Sequence, residues 1–434
     1  MHTLSLSKGL VFLFFVLAFL SLLPNLNTYA LRNEESRRLE IAFEMYSSGN
    51  YMQPTFMGEL YFNKPPLFNW LIIFASNLVG WGELTPRVVS VFFLFLTCLS
   101  TGFFTYYLFR KLDLSLLASL VFLTFGNVLF FYGYLGEIDM TFTFFVSAFI
   151  FILYVSLDKP YLFPLAGFLG GLSFLLKGFP AFGFFFLTLF SLLLQRKDLR
   201  PAISLWSFSA YFLLFVIPFL WLFATPYPTK YLTALISESS SRFEAQRSLL
   251  HYASFFLIFF KDLLPHSLLL LVALITLFKK KELSLPHTIS SLLYVLFFNL
   301  LPYLIALSGG RYLLPLYPIM AVVVSYYYQI ALEKGRFAKL FYVSMVFVIF
   351  LRLAYGLFYF PYYSSRDESE KVIAYKLYKA IPSSTEVACE CPQRHGVCAY
   401  ISLMTGKPTK RIIYVPNAKA VIVCPEGKPS LLLR

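Results

Sequence analysis

Charge is what this chain lacks. Of its 434 residues 13% are Asp, Glu, Lys or Arg, whereas 59% are hydrophobic and 52 are Phe. Mean hydropathy is +0.71. Apolar runs of 16 to 24 residues recur, which excludes a soluble globular fold and marks a polytopic helical membrane protein. The centres of these runs carry almost no charge, and no internal repeat is visible. Both absences count against the competing reading, a transporter or flippase of a lipid-linked or small anionic substrate. Such proteins place ionisable groups near the midplane on repeated, broken helices. The net charge of +14 lies between spans rather than on one face of a soluble domain, so no nucleic-acid partner is expected.

Eleven spans are expected: 9–29, 86–109, 114–133, 139–157, 161–176, 179–195, 202–224, 264–278, 287–307, 312–332 and 338–358. The segment 67–82 is too short to cross. If it does cross, Arg110-Lys111, Lys159, Arg196-Lys197-Arg200, Lys279-Lys280-Lys281 and Lys334-Arg336-Lys339 all fall outside, against the positive-inside rule. It is therefore read as interfacial or re-entrant, with Lys8 cytoplasmic. Lys8, the first apolar run and Thr28-Tyr29-Ala30 also fit a signal peptide. An anchor is preferred, because cleavage would release the loop that follows.

That loop, 31–66, interrupts the apolar sequence with Asn33-Glu34-Glu35-Ser36-Arg37-Arg38. After Arg37, Leu39, Phe43 and Tyr46 recur at helical spacing opposite Glu40, Glu44 and Ser47, and Gly49-Asn50 ends the run. An amphipathic helix lying in the interface is expected, unless Glu40 and Glu44 mark a merely solvated surface helix. The other outward loops carry Glu137 and Asp139, then Lys177, then Glu238, Arg242, Glu244 and Arg247, then Arg311. These distant groups are expected to converge at the membrane boundary.

Five stretches carry a resemblance. They are Glu34 to Met45 with Ser48-Gly49-Asn50-Tyr51; Gly58-Glu59-Leu60-Tyr61-Phe62-Asn63-Lys64-Pro65-Pro66-Leu67; and the weaker Glu137-Ile138-Asp139-Met140, Leu176-Lys177-Gly178-Phe179-Pro180 and Arg311 to Pro318. Over about residues 1–330 this order resembles the C-type glycosyltransferases, which include the aminoarabinose transferases of lipid A and the dolichyl-phosphate-mannose protein mannosyltransferases. The resemblance implies inverting transfer of a sugar from a polyprenyl phosphate to a lipid, protein or polysaccharide acceptor on the outer face of a bacterial inner (plasma) membrane. The chemistry suits the residues. A departing phosphate needs cations rather than a general acid, and an acceptor hydroxyl needs a base. Glu34 and Asp139 are the candidate catalytic groups. Lys64, Arg37, Arg311 and Lys177 are the candidate phosphate ligands, and Glu35, Tyr61 and Arg242 the candidate acceptor or loop contacts. Asp139 as a helix cap and Lys177 as a snorkelling side chain are the competing readings. Arg352 is read as snorkelling outward.

The sequence departs from the family where Glu34 replaces an Asp, and where Asn63 and Ser239 stand at the Glu and His that bind a metal in the aminoarabinose transferases. No zinc and no cofactor is expected, and a divalent metal is left open. The membrane region is assigned to 1–360 and a small outward-facing α/β domain to 361–434. In the latter Glu370–Ala380 reads as a helix, and Thr385–Cys389, Arg411–Val415 and Ala420–Cys424 as strands. Cys389, Cys391, Cys398 and Cys424 suit one or two disulfides in any of three pairings. A metal site with His395 has poor spacing.

Overall fold

The computed structural model describes residues 8–241, 249–306, 310–333, 336–382 and 385–433. Among these, seven helices are long and apolar enough to cross a membrane: Leu84–Phe109, Ile138–Ser156, Pro160–Lys177, Leu205–Ala224, His287–Ala306, Leu314–Leu332 and Phe337–Ser365. An eighth arises if Leu250–Asp262 and His266–Lys279, bent by 89°, count as one. Their outer faces expose large apolar side chains, such as Phe223 at 81% and Leu205 at 78%. Apolar surface on that scale, on helices of spanning length, is what a bilayer covers. The chain is an integral membrane protein.

Each of the eleven expected spans falls on an apolar helix, but four helices are shorter than full crossings: Lys8–Leu20, Leu67–Val79, Leu112–Leu123 and Pro180–Arg196. Three of these underlie expected spans, and Leu67–Val79 is the segment read as interfacial or re-entrant. The first shortens because helix gives way to turns beyond Leu20, before Pro24. The third ends at Thr124, and a π-helical turn at Val128–Tyr132 follows. Small residues set the closest packing. A Cβ on Gly167 would lie 2.0 Å from the Ala210 carbonyl oxygen, so the Phe163–Lys177 and Leu205–Ala224 helices meet backbone to backbone.

The amphipathic helix runs from Asn33 to Ser48 and ends on Gly49, whose φ of 68° is the left-handed cap that glycine adopts freely. Its acidic face is not solvated. Glu40 and Glu44 are 2% and 3% exposed. Glu40 accepts a hydrogen bond from Ser402, and Glu44 accepts from Thr55 and from the Met57 and Gly58 amides, those of a short hairpin pairing Thr55–Phe56 with Glu59–Leu60.

The cover over Glu40 is the C-terminal segment. Its sheet orders Val387–Glu390, Ala420–Val423 and Ser430–Leu433, the first pair parallel and the second antiparallel. Helices Glu370–Tyr378 and His395–Thr405 pack together, and the latter lies on the Asn33–Ser48 helix. The strand expected at Arg411–Val415 is instead a turn at Ile412–Tyr414 with one bridge from Lys410 to Ala388. The Arg411 amide is taken by the Met57 carbonyl rather than by a ladder. Both disulfides form, Cys389–Cys398 and Cys391–Cys424, which leaves no thiol there for a metal.

Burial first, and the neighbouring Glu44 second, raise the pKa of Glu40. The folded state therefore binds a proton that the unfolded chain releases above its own carboxylate pKa, so stability falls as pH rises through the folded pKa. Thermal unfolding and proteolysis of the C-terminal segment should show tighter docking at pH 5 than at pH 8. Glu40→Gln should flatten that dependence. An unchanged pH slope in the variant would count against the buried proton.

Candidate active site

One cavity of about 710 Å³ opens where the helix ends meet the first loop. It is lined by Glu34, Arg37, Tyr61, Lys64, Asp139, Lys177 and Arg311, seven of the nine residues singled out in the sequence. Arg242 lies outside the described residues. Glu35 faces away from the cavity: it is fully buried, and its two oxygens meet Arg87 Nε and Nη2 at 2.7 and 2.9 Å.

Helix register explains the difference between the two neighbours. Consecutive residues point about 100° apart around a helix. Glu34 therefore faces the cavity and pairs with Arg37 at 2.8 Å and Arg38 at 3.5 Å, one turn on. Glu35 turns into the bundle. Asp139, in the first turn of Ile138–Ser156, accepts from Lys177 at 2.5 Å, with both side chains under a tenth exposed. It makes an ion pair rather than a cap, and Lys177 is held inward rather than snorkelling to water. Lys64 pairs with Glu238 from the Pro228–Ser240 helix, and Arg311 lies 3.7 Å from Glu137. Each of these carboxylates thus faces a cation.

Two groups are tuned close to neutrality. Burial raises the Glu137 pKa to about 8, helped by the charges of Asp139 and Glu35 and opposed by Arg311. Burial lowers Lys64 to about 8, and Glu238 holds it from falling further. Away from the charges the walls turn apolar, with Phe179, Phe184, Leu187 and Tyr303. Leu187 lies about 10 Å along the Pro180–Arg196 helix, so the cavity extends roughly two turns into the bundle. One vessel therefore joins an end rich in paired charges to a hydrocarbon slot.

The fold has solved counterparts. Over 93% of this chain and 86% of the other, it superposes on ArnT from Cupriavidus metallidurans bound to undecaprenyl phosphate, with TM-score 0.71 and 14% identity. The apo state of that protein gives TM-score 0.66 over 96% and 93%. This chain has the ArnT fold. By sequence it is 27% identical over 201 residues to the undecaprenyl phosphate-alpha-4-amino-4-deoxy-L-arabinose arabinosyl transferase of Yersinia pestis (strain Pestoides F), 45% of this chain and 36% of that one. It is equally identical over 332 residues to an uncharacterized protein of Aquifex aeolicus (strain VF5), 73% of this chain and 63% of that one. The chain thus spans less than two thirds of the length of these relatives. No protein-family model matches it. The family resemblance carried by the first loop is borne out in fold and in sequence.

Within the ArnT fold, Asn63 and Ser239 both line the cavity, and among the described residues no three His, Cys, Asp or Glu side chains converge on a metal-sized space. Sequence reasoning did not single out Arg38, Glu137 or Glu238 as site residues, although all three line the cavity. Arg38 had a signal, its i,i+4 spacing from Glu34. Glu137 and Glu238 had only their place among the outward-loop charges, and the pairing of Glu238 with Lys64, across 174 residues, had no local signal. Arg352 does not snorkel outward. It is fully buried against Tyr134, Tyr355 and Phe360 and donates to the Leu129 and Leu22 carbonyls.

Proposed function

We propose that this protein is an integral membrane glycosyltransferase that moves a sugar from a polyprenyl phosphate to a lipid, protein or glycan acceptor at the non-cytoplasmic face, with inversion. The observation that carries the reading is the cavity in which Glu34 and four candidate phosphate ligands share one space with an apolar slot. An amphiphile with an anionic head fits such a space, and a polyprenyl phosphate is one. The positive-inside reading of the basic loops, and two disulfides in the module 361–434, support a periplasmic position for the cavity and for that module.

In the reaction the acceptor hydroxyl gives its proton to Glu34 while its oxygen attacks the anomeric carbon. The bond from that carbon to the phosphate oxygen breaks, and the electron pair leaves on the phosphate. Lys64, Arg37, Lys177 and Arg311 meet the charge that develops there. Asp139 holds Lys177 in place. Tyr61 lines the same space, at the acceptor or sugar side. The transport reading is not favoured, since the charged groups of the cavity crowd one end of the bundle. Mass spectrometry of membranes from deletion and complemented cells tests the proposal. A glycan that disappears with the protein and returns on complementation supports it; transport of labelled lipid without a new glycosidic bond refutes it.

Because Lys64 is already engaged by Glu238, phosphate must displace that carboxylate. Glu238→Gln should tighten binding of undecaprenyl phosphate to the purified protein about fivefold at pH 7, the equivalent of a pair worth roughly 1 kcal/mol. Weaker binding in the variant would mean that Glu238 orders the site rather than competing for it.

A further inference from the structure

We propose that His395, carried by the C-terminal segment, is a positioning residue for Glu34: it moors the first turn of the Asn33–Ser48 helix and so sets where the carboxylate stands in the cavity. The inference rests on the transferase reading for its consequence and on separate contacts for its geometry. His395 Nε2 lies 2.9 Å from the Asn33 carbonyl oxygen, the residue directly before Glu34, across 362 positions of sequence. Nδ1 lies 3.3 Å from the Pro392 carbonyl. Burial lowers the pKa of the imidazole, so the ring is neutral and has one N–H to give. The shorter contact takes it.

A second line of contact reaches the same carboxylate. The His395 ring meets Phe56 edge-on at 5.4 Å, the Arg37 guanidinium sits over Phe56 at 5.8 Å, and Arg37 holds Glu34 at 2.8 Å. His395 thus supports Glu34 from the backbone before it and from the cation beside it.

The helix needs such a mooring. Arg32 occupies the cap position, where Ser, Thr, Asp or Asn would ordinarily tie down the first turn. Glu35 accepts from the Arg32 amide at 2.9 Å, and further support comes from the C-terminal segment. Tyr400 Oη accepts from the Leu31 amide at 2.8 Å, His395 holds Asn33, and Ser402 holds Glu40 at 2.7 Å. The moorings are themselves anchored, because Cys391 and Cys398, one on each side of His395, are both in disulfides. His395 is 2% exposed, so the contact is shielded from water.

The test compares His395→Ala, His395→Gln and Ser402→Ala in the full-length protein in nanodiscs, by transfer kinetics and by hydrogen exchange of amides 33–37. His395→Ala should lower kcat about 10–100-fold, the usual consequence of a reacting group displaced by about 1 Å. The KM for the polyprenyl-phosphate sugar should stay within about twofold, and exchange in the first turn should rise. Gln, whose amide donates to the same carbonyl, should restore kcat to within about threefold. Ser402→Ala loosens the same docking at Glu40 and should leave kcat unchanged. Wild-type kcat in His395→Ala, failure of Gln to rescue, or equal loss in Ser402→Ala would overturn the proposal. If the wild type transfers no sugar at all, the transferase reading falls. The mooring is then decided by exchange alone, where a rise confined to 33–37 upholds it and no rise overturns it.

Discussion

Glu34→Gln is expected to leave a folded protein that transfers sugar about 10²–10⁴-fold more slowly, the usual loss on removing a positioned base. The fold should tolerate the change because Glu34 is partly exposed and lies in the first turn of its helix, with 29% of the side chain accessible. The amide is isosteric but cannot accept the proton. Its loss of charge also frees Arg37 and Arg38 from their partner, so affinity for the phosphate should hold or rise. The expected signature is a fall in kcat with no rise in KM for the donor, the pattern of an interaction made only in the transition state. Glu34→Asp, which draws the carboxylate back by one methylene, should retain part of the rate. A kcat unchanged in Glu34→Gln would move the base elsewhere. Glu137, buried in the same cavity and pushed up to about 8, is then the next group to test.

What was legible in the sequence follows from the range of the interactions involved. Spans announce themselves by local apolarity, and each expected one lies on an apolar helix. Where a helix breaks inside the bilayer is decided by packing, as in the π-helical turn after Thr124. The Asn33–Ser48 helix was visible from Leu39, Phe43 and Tyr46, but its start was not. Arg32 is not of a capping residue type, and beside the local Glu35 contact to its amide, two groups that support the first turn, His395 and Tyr400, come from the far end of the chain. Glu40 and Glu44 look like a wet face for the same reason, since their cover is supplied by Ser402 and by the hairpin at Thr55. Of the site, charge type and loop position were enough to bring Glu34, Lys64, Asp139 and Arg311 to notice. The pairings among them depend on contacts between loops, and no local signal encodes those.

Arg87→Met is expected to have the largest effect on stability. Arg87 is fully buried, binds both oxygens of Glu35, and donates to the carbonyls of Leu26, Tyr29 and Ala30, the stretch that turns the chain from the first helix into the loop. Removing it strands the Glu35 carboxylate with only the Gly136 and Arg32 amides for company. Breaking a buried pair from one side typically costs about 3–5 kcal/mol, which for a chain of this size corresponds to a fall in Tm of about 5–10 °C or more. Most of that cost is the orphaned charge rather than the lost bond. The double variant Arg87→Met/Glu35→Gln should therefore recover a large part of it, and the two losses should be far from additive in a double-mutant cycle. Glu35 is the residue after Glu34, so the single variant should also loosen the turn that carries the candidate base and lower activity before the protein unfolds. A single variant that melts with the wild type would show that the Gly136 and Arg32 amides alone satisfy Glu35. In that case the ion pair is not what ties the first loop to the bundle.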